Sequence, residues 1–164
     1  TALFRARDST TIQFLINNKS NVNHQDEDGR SALMWKILYG FEGASKILIE
    51  NDCNVNIRDI KGNTALLIAS TIGSLNIVKL LIRENADLNI CNNKHQNPLI
   101  MTLRLEHFNI SDFLVEKKAN ISFNVLNFLY FKPNRMFKAT ILRKSTQNLL
   151  LMIDLFSLIL KFIL

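Results

Sequence analysis

Residues 59–91 read DIKGNTALLIASTIGSLNIVKLLIRENADLNIC. The opening Asp59-Ile60-Lys61-Gly62 has the composition of a turn, with Gly62 free to adopt positive φ. Thr64 is a suitable N-cap, and Ala65 stands at the first helical position. Leu66, Leu67, Ile68 and Ala69 then predict a short first helix, which Gly73 ends as a left-handed cap. From Ser74 to Glu84, Ile77, Val78, Leu80 and Leu81 recur at helical spacing, so a second helix with one apolar face follows. Asn85-Ala86-Asp87-Leu88-Asn89 turns the chain outward again. Alone, such a hairpin cannot cover its apolar face; a stacked neighbour of the same kind can.

The neighbours are present in the sequence. A period of 33 residues carries Gly29 to Gly62 and Gly40 to Gly73. It brings Leu33, Leu66 and Leu99 into line, then Ile47, Leu80 and Phe113, then Leu48, Leu81 and Leu114. Asn23, Asn56 and Asn89 keep the same step. The units divide the chain into a partial repeat 1–25, repeats 26–58 and 59–91, and a degenerate repeat 92–123. In the last, His95 and Glu106 replace the two glycines, at a cost wherever φ is positive. In the first, Thr1-Ala2-Leu3 stands three residues too close to the second-helix pattern. Either its first helix is abridged or the chain begins inside that helix.

At these points the sequence resembles the ankyrin repeat family. Gly62-Asn63-Thr64-Ala65-Leu66 is similar to the family's G-x-T-P-L, and Ile77-Val78-Lys79-Leu80-Leu81 to its I-V-x-L-L. Asn85-Ala86-Asp87-Leu88-Asn89 and Asp52-Cys53-Asn54-Val55-Asn56 resemble its G-A-D-V-N close. The resemblance implies an all-α fold: an ankyrin-type α-solenoid of stacked helix-turn-helix units with short β-turn connections. The family's His after T-P-L is absent, with Met34, Leu67 and Ile100 in its place. Its side-chain hydrogen bonds between units should then be missing, leaving apolar packing to compensate.

The resemblance also implies function: a noncatalytic adaptor that binds a protein partner on a concave face of first helices and turn tips. By register the contact positions are Glu27, Asp28, Arg30, Leu38 and Tyr39; Ile60, Lys61, Asn63, Thr71 and Ile72; and Asn93, Lys94, Gln96, Arg104 and Leu105. Tyr39 and Arg104 are of the types that dominate interface energies. A monomer, inside the cell in cytoplasm or nucleus, is the expectation. The start at Thr1 without an initiator Met reads as a fragment or a processed product, and so as the recognition part of a larger protein. The family's closing Asn is a known hydroxylation target, and Asn23, Asn56 and Asn89 match it.

Other chemistry is not signalled. No phosphate-binding Gly-rich loop, zinc-binding H-E-x-x-H or nucleophile elbow occurs, and no catalytic residue, cofactor or metal is expected. His24 and His95 fall in turns, where a solvated role is expected. Cys53 takes the small position of the close and reads as a packed thiol, Cys91 as an exposed one. Trp35, in a first helix, reads as core filling. Most of the net charge of +6 is carried by the tail, since residues 1–123 hold 14 Lys+Arg against 13 Asp+Glu. A near-neutral body lacks the field that nucleic-acid binding needs.

After Phe123 the period fails, because a fifth unit would place Pro133 inside its first helix. Residues 124–164 form a non-repeat, basic, apolar tail, with a helix expected over 141–164. Three readings stand for it. Asp154, Ser157 and Lys161 on one helix face suit a segment packed over the last repeat. Lys138, Arg143 and Lys144 ahead of an apolar stretch suit membrane contact and a membrane-anchored scaffold, although a span needs about 20 apolar residues. An incomplete or misassembled gene product without selected function is the third.

Overall fold

The computed structural model describes residues 2–120, and the tail helix with its three readings lies outside them. Eight helices follow in order: α1 (Ala2–Arg5), α2 (Ser9–Asn17), α3 (Ala32–Leu38), α4 (Glu42–Ile49), α5 (Ala65–Ile72), α6 (Leu75–Arg83), α7 (Pro98–Arg104) and α8 (Phe108–Glu116). No strand occurs among the described residues; Gln25 and Ser31 form an isolated antiparallel bridge. First helices pack on first helices, α1 on α3, α3 on α5 and α5 on α7. Second helices do the same, α2 on α4, α4 on α6 and α6 on α8. The result is the expected all-α repeat solenoid of two helical layers.

The caps recur with the period. Ser31, Thr64 and Asn97 have extended backbones, and their side-chain oxygens accept from the N–H groups of Met34, Leu67 and Ile100 at 3.3, 3.2 and 2.8 Å. Pro98 adds a preset φ at the first helical position of α7. Three left-handed positions recur as well: Gly29, Gly62 and His95; Gly40, Gly73 and Glu106; and Lys19, Asp52, Asn85 and Lys118. At His95 and Glu106, with φ of 55° and 61°, the turn conformation is kept without glycine. Glu106→Gly is therefore expected to stabilise the chain by roughly 1 kcal/mol, the left-handed cost less the entropy of glycine. A midpoint that falls in urea unfolding would contradict this.

The core runs the length of the stack. Leu33, Leu66 and Leu99 are buried in the first-helix layer, and Leu48, Leu81 and Leu114 in the second. Cys53 joins this core, where burial pushes its thiol up to about 12, so it stays protonated and inert. Cys91 is exposed. In the first unit, α1 falls one period before Trp35–Leu38, the second half of α3.

Hydrogen bonds between units are present, made by residues other than those at the place of the family's His. Asn23, Asn56 and Asn89 each accept through Oδ1 from a backbone N–H one unit on, at Asn54, Asp87 and Asn120, with distances of 2.7, 2.8 and 2.7 Å. Gln25 Nε2 donates to the Arg58 carbonyl at 3.2 Å, and the Arg58 guanidinium to the Cys91 carbonyl at 2.9 Å. Ile60 N donates to the Asp28 carbonyl and Asn93 N to the Lys61 carbonyl, both at 2.9 Å. Met34, Leu67 and Ile100 are buried where the His would stand. These polar ties lie at the closing asparagines and the turn tips.

Candidate binding face

Each turn tip is built by one acidic or amide side chain. Asp59 Oδ1 accepts from Lys61 N at 2.9 Å and Asn63 N at 2.7 Å, and Oδ2 from Asn63 Nδ2 at 2.9 Å. Asn92 repeats the pattern with Lys94 N and Gln96 N, both at 3.0 Å. Asp26 does so with Asp28 N at 3.0 Å and Arg30 N at 2.8 Å. These Asx turns fix the tips against the N-caps that follow. Adjacent tips are tied through Asn92 Nδ2, which donates to Asn63 Oδ1 and Gln96 Oε1 at 3.0 Å each.

Between the tips and the first helices lies an open groove of about 220 Å³. Leu38, Leu67, Ile68, Ile72 and Met101 give its apolar lining, and Asn63, Thr71, Asn92 and Gln96 its polar one. Thr71 Oγ1 bonds back to the Leu67 carbonyl at 2.8 Å. Beneath it, His107 Nε2 lies 3.2 Å from the Thr71 carbonyl oxygen, joining α5 to the loop before α8. Gly73 makes room for that ring: a Cβ there would stand 2.8 Å from His107 Cε1, and φ is 86°.

The groove gathers five of the sequence-predicted positions: Leu38, Asn63, Thr71, Ile72 and Gln96. Leu38, Tyr39, Ile60, Ile72 and Leu105 are exposed large apolar or aromatic side chains, and Tyr39 is 58% exposed. Glu27, Asp28, Lys61, Asn93 and Lys94 are exposed on the tips, and Arg104 on α7. Arg30 is half-buried and pairs with Asp28 at 3.1 Å. Asn93 is spent within the stack, its Nδ2 donating to the Ile60 carbonyl at 3.0 Å. Leu67, Ile68, Asn92 and Met101 complete the groove without having been named as contact positions; Asn92 adjoins Asn93, and the other three lie three or four residues from Thr71, Ile72 or Arg104 on the same helices.

Trp35 differs most from its sequence reading. It is half-buried and stacked on Tyr39, with ring centroids 5.0 Å apart and planes 14° from parallel. Arg30 lies over its ring at 5.8 Å, and Phe4 meets it edge-on at 6.4 Å. Its Nε1 donates to Asp26 Oδ2 at 2.6 Å. The indole thus sits between the tip of its own unit and the open face instead of filling the core. Burial works against the Asp26 charge. The indole, the N–H groups of Arg30 and Asp28 and the Arg30 charge outweigh it and hold the carboxyl below the usual range. A lowered folded value means that this stabilisation is complete above the unfolded carboxylate value of about 3.9 and is lost as pH falls through the lowered one. Trp35→Phe removes one donor and is expected to raise the Asp26 value in an NMR carboxyl titration. An unchanged titration would show that the indole contributes nothing to it.

Lys36 was not singled out in the sequence. Its side chain is among the fully buried ones, with Nζ donating to the Phe4 carbonyl at 2.7 Å and lying 5.7 Å from the Phe41 ring centroid. Burial, then the Arg7 charge, pushes its ammonium down from the ordinary lysine value. The contact closes the carboxyl end of α1 and faces the stack, not a ligand site.

Among the described residues no cluster of His, Cys, Asp and Glu could hold a metal ion, and no helix is long and apolar enough to cross a membrane. The family described as ankyrin repeats (3 copies) matches residues 1–90 and again residues 43–127. The chain belongs to the ankyrin repeat family. Ankyrin repeats are protein–protein interaction modules, generally without catalytic activity. No curated protein matches the chain.

Proposed function

We propose that this ankyrin chain is a noncatalytic adaptor that docks a segment of a protein partner on the face formed by its first helices and turn tips. The supporting observation is the placement of exposed apolar surface. Leu38, Tyr39 and Ile72 lie at the ends of α3 and α5, beside a groove with an apolar floor and an amide rim. A surface mixing aromatic, aliphatic and polar groups in this way has the make-up of a protein interface. The rim is prearranged by the Asx turns, so little side-chain order remains to be imposed on binding.

The test is the triple variant Tyr39→Ala, Ile72→Ala, Arg104→Ala in the full chain. All three side chains are exposed, so an unchanged helical circular dichroism spectrum is expected. Affinity capture from the protein's own cells should lose its partner, since truncating central anchors commonly costs more than about 2 kcal/mol each. Capture at wild-type level would exclude this face.

A further inference from the structure

The charged groups around the groove are unequal in what they already hold. At the tip position that recurs with the period, Asp28 is followed by Lys61 and Lys94. The Asp28 carboxylate is paired with Arg30 at 3.1 Å. The Asp59 carboxylate is consumed by its own turn. Lys61, Lys94 and Arg104 are exposed, and none is in an ion pair among the described residues. Their backbones are held close to the groove. Lys61 O accepts from Asn93 N, and Lys94 N donates to the groove residue Asn92. Arg104 follows the groove residue Met101 by three positions on α7, which puts both on one helix face. Glu106, two residues beyond, is the nearest carboxylate in sequence; it is exposed and makes no ion pair either.

On this basis, and resting on the docking face described above, we propose that the partner segment is acidic as well as apolar. It is an extended protein segment that sets aliphatic side chains on Leu38, Ile68, Ile72 and Met101 and places carboxylates toward Lys61, Lys94 and Arg104. Unpaired cations at a rim attract carboxylates from solution and steer their approach, whereas cations already paired would have to be released first. The apolar floor favours a polypeptide over a nucleic acid, whose phosphates would gain nothing from Ile68 and Met101. The near-neutral repeat body, with 14 Lys+Arg against 13 Asp+Glu in residues 1–123, makes the cationic rim a local feature and not a general field.

The experiment uses the full chain and three fluorescent peptides of alternating Leu and Asp, Leu and Asn, or Leu and Lys, followed by anisotropy. The acidic peptide is expected to bind at least tenfold more tightly than the neutral one, with the basic peptide weakest and the preference shrinking as salt rises. In the variant Lys61→Glu, Lys94→Glu, Arg104→Glu the order should invert while the helical spectrum stays unchanged. Equal binding of the three, a basic preference, no binding by any of them, or an order that survives the charge reversal would each overturn the acidic partner. So would displacement of the acidic peptide by a single-stranded oligonucleotide at lower concentration. Ile72→Asp separates this inference from the docking face itself. Peptides bound without regard to charge, and all lost in Ile72→Asp, would discard the acidic partner and keep the face. An acidic peptide still held by Ile72→Asp would discard both.

Discussion

Leu81→Ala is expected to destabilise the chain by about 2–5 kcal/mol, the range for emptying a fully packed leucine site. Leu81 is wholly buried in α6, and α6 packs on α4 before it and α8 after it. Stability in a repeat stack sums what each unit and each neighbour interface contribute, so damage at an inner unit weakens two interfaces at once. Leu114 is the equivalent residue one period later, equally buried, in α8. The same truncation there is expected to loosen the end of the described stack and leave the α3–α6 region folded. Urea unfolding followed by circular dichroism separates the two. Leu81→Ala should lower the midpoint sharply and broaden the transition, whereas Leu114→Ala should add a low-urea phase. Indistinguishable curves would mean that the units do not act through their neighbours.

Gly62→Ala comes second and damages fold and face together. Gly62 has φ of 77°, and a Cβ there would stand 2.6 Å from Asn93 Oδ1, 2.8 Å from the Arg58 guanidinium and 3.1 Å from Asn92 Cα. The left-handed conformation alone costs about 1–2 kcal/mol for a residue with a side chain. Moving Arg58 and Asn93 also strains their bonds to the Cys91 and Ile60 carbonyls, each worth about 0.5–1.5 kcal/mol. The expected total is about 2–5 kcal/mol. Partner capture should fall as well, because the Asn63–Asn92 rim shifts. Gly62→Asn divides the two causes: asparagine tolerates positive φ but still carries the Cβ. If crowding costs more than the backbone conformation, Gly62→Asn is nearly as unstable as Gly62→Ala in thermal unfolding. Near-wild-type stability for Gly62→Asn would assign the loss to φ alone.

The repeat was legible because it is written in residue types with few alternative uses. Glycines in register at Gly29 and Gly62 and at Gly40 and Gly73, a capping Thr64 and leucines at helical spacing specify turn, cap and apolar face together, and the structure has all three at those positions. The positions proposed for contact were set by the register, and all fifteen lie at least partly open to solvent. What stayed hidden depends on contacts made across the register. Asn56 reads locally as a loop asparagine; only stacking brings its Oδ1 to the Asp87 N–H. Trp35 looks like core on apolarity alone, but Asp26, nine residues earlier, turns back to take its indole proton in a hydrogen bond and leaves the ring beside Tyr39. Lys36 occupies a fully buried site that sequence patterning assigns to apolar residues, made tolerable by a carbonyl from α1.

The docking face is tested most directly by a photoreactive side chain carried by the full-length protein in its own cells. One version carries it at Ile72, in the groove, and another at Lys46, exposed on the second-helix layer. A covalent adduct with a partner protein at Ile72, and none at Lys46, is the predicted result. Adduct formation at Lys46 with none at Ile72 would place the partner on the opposite layer and contradict the account.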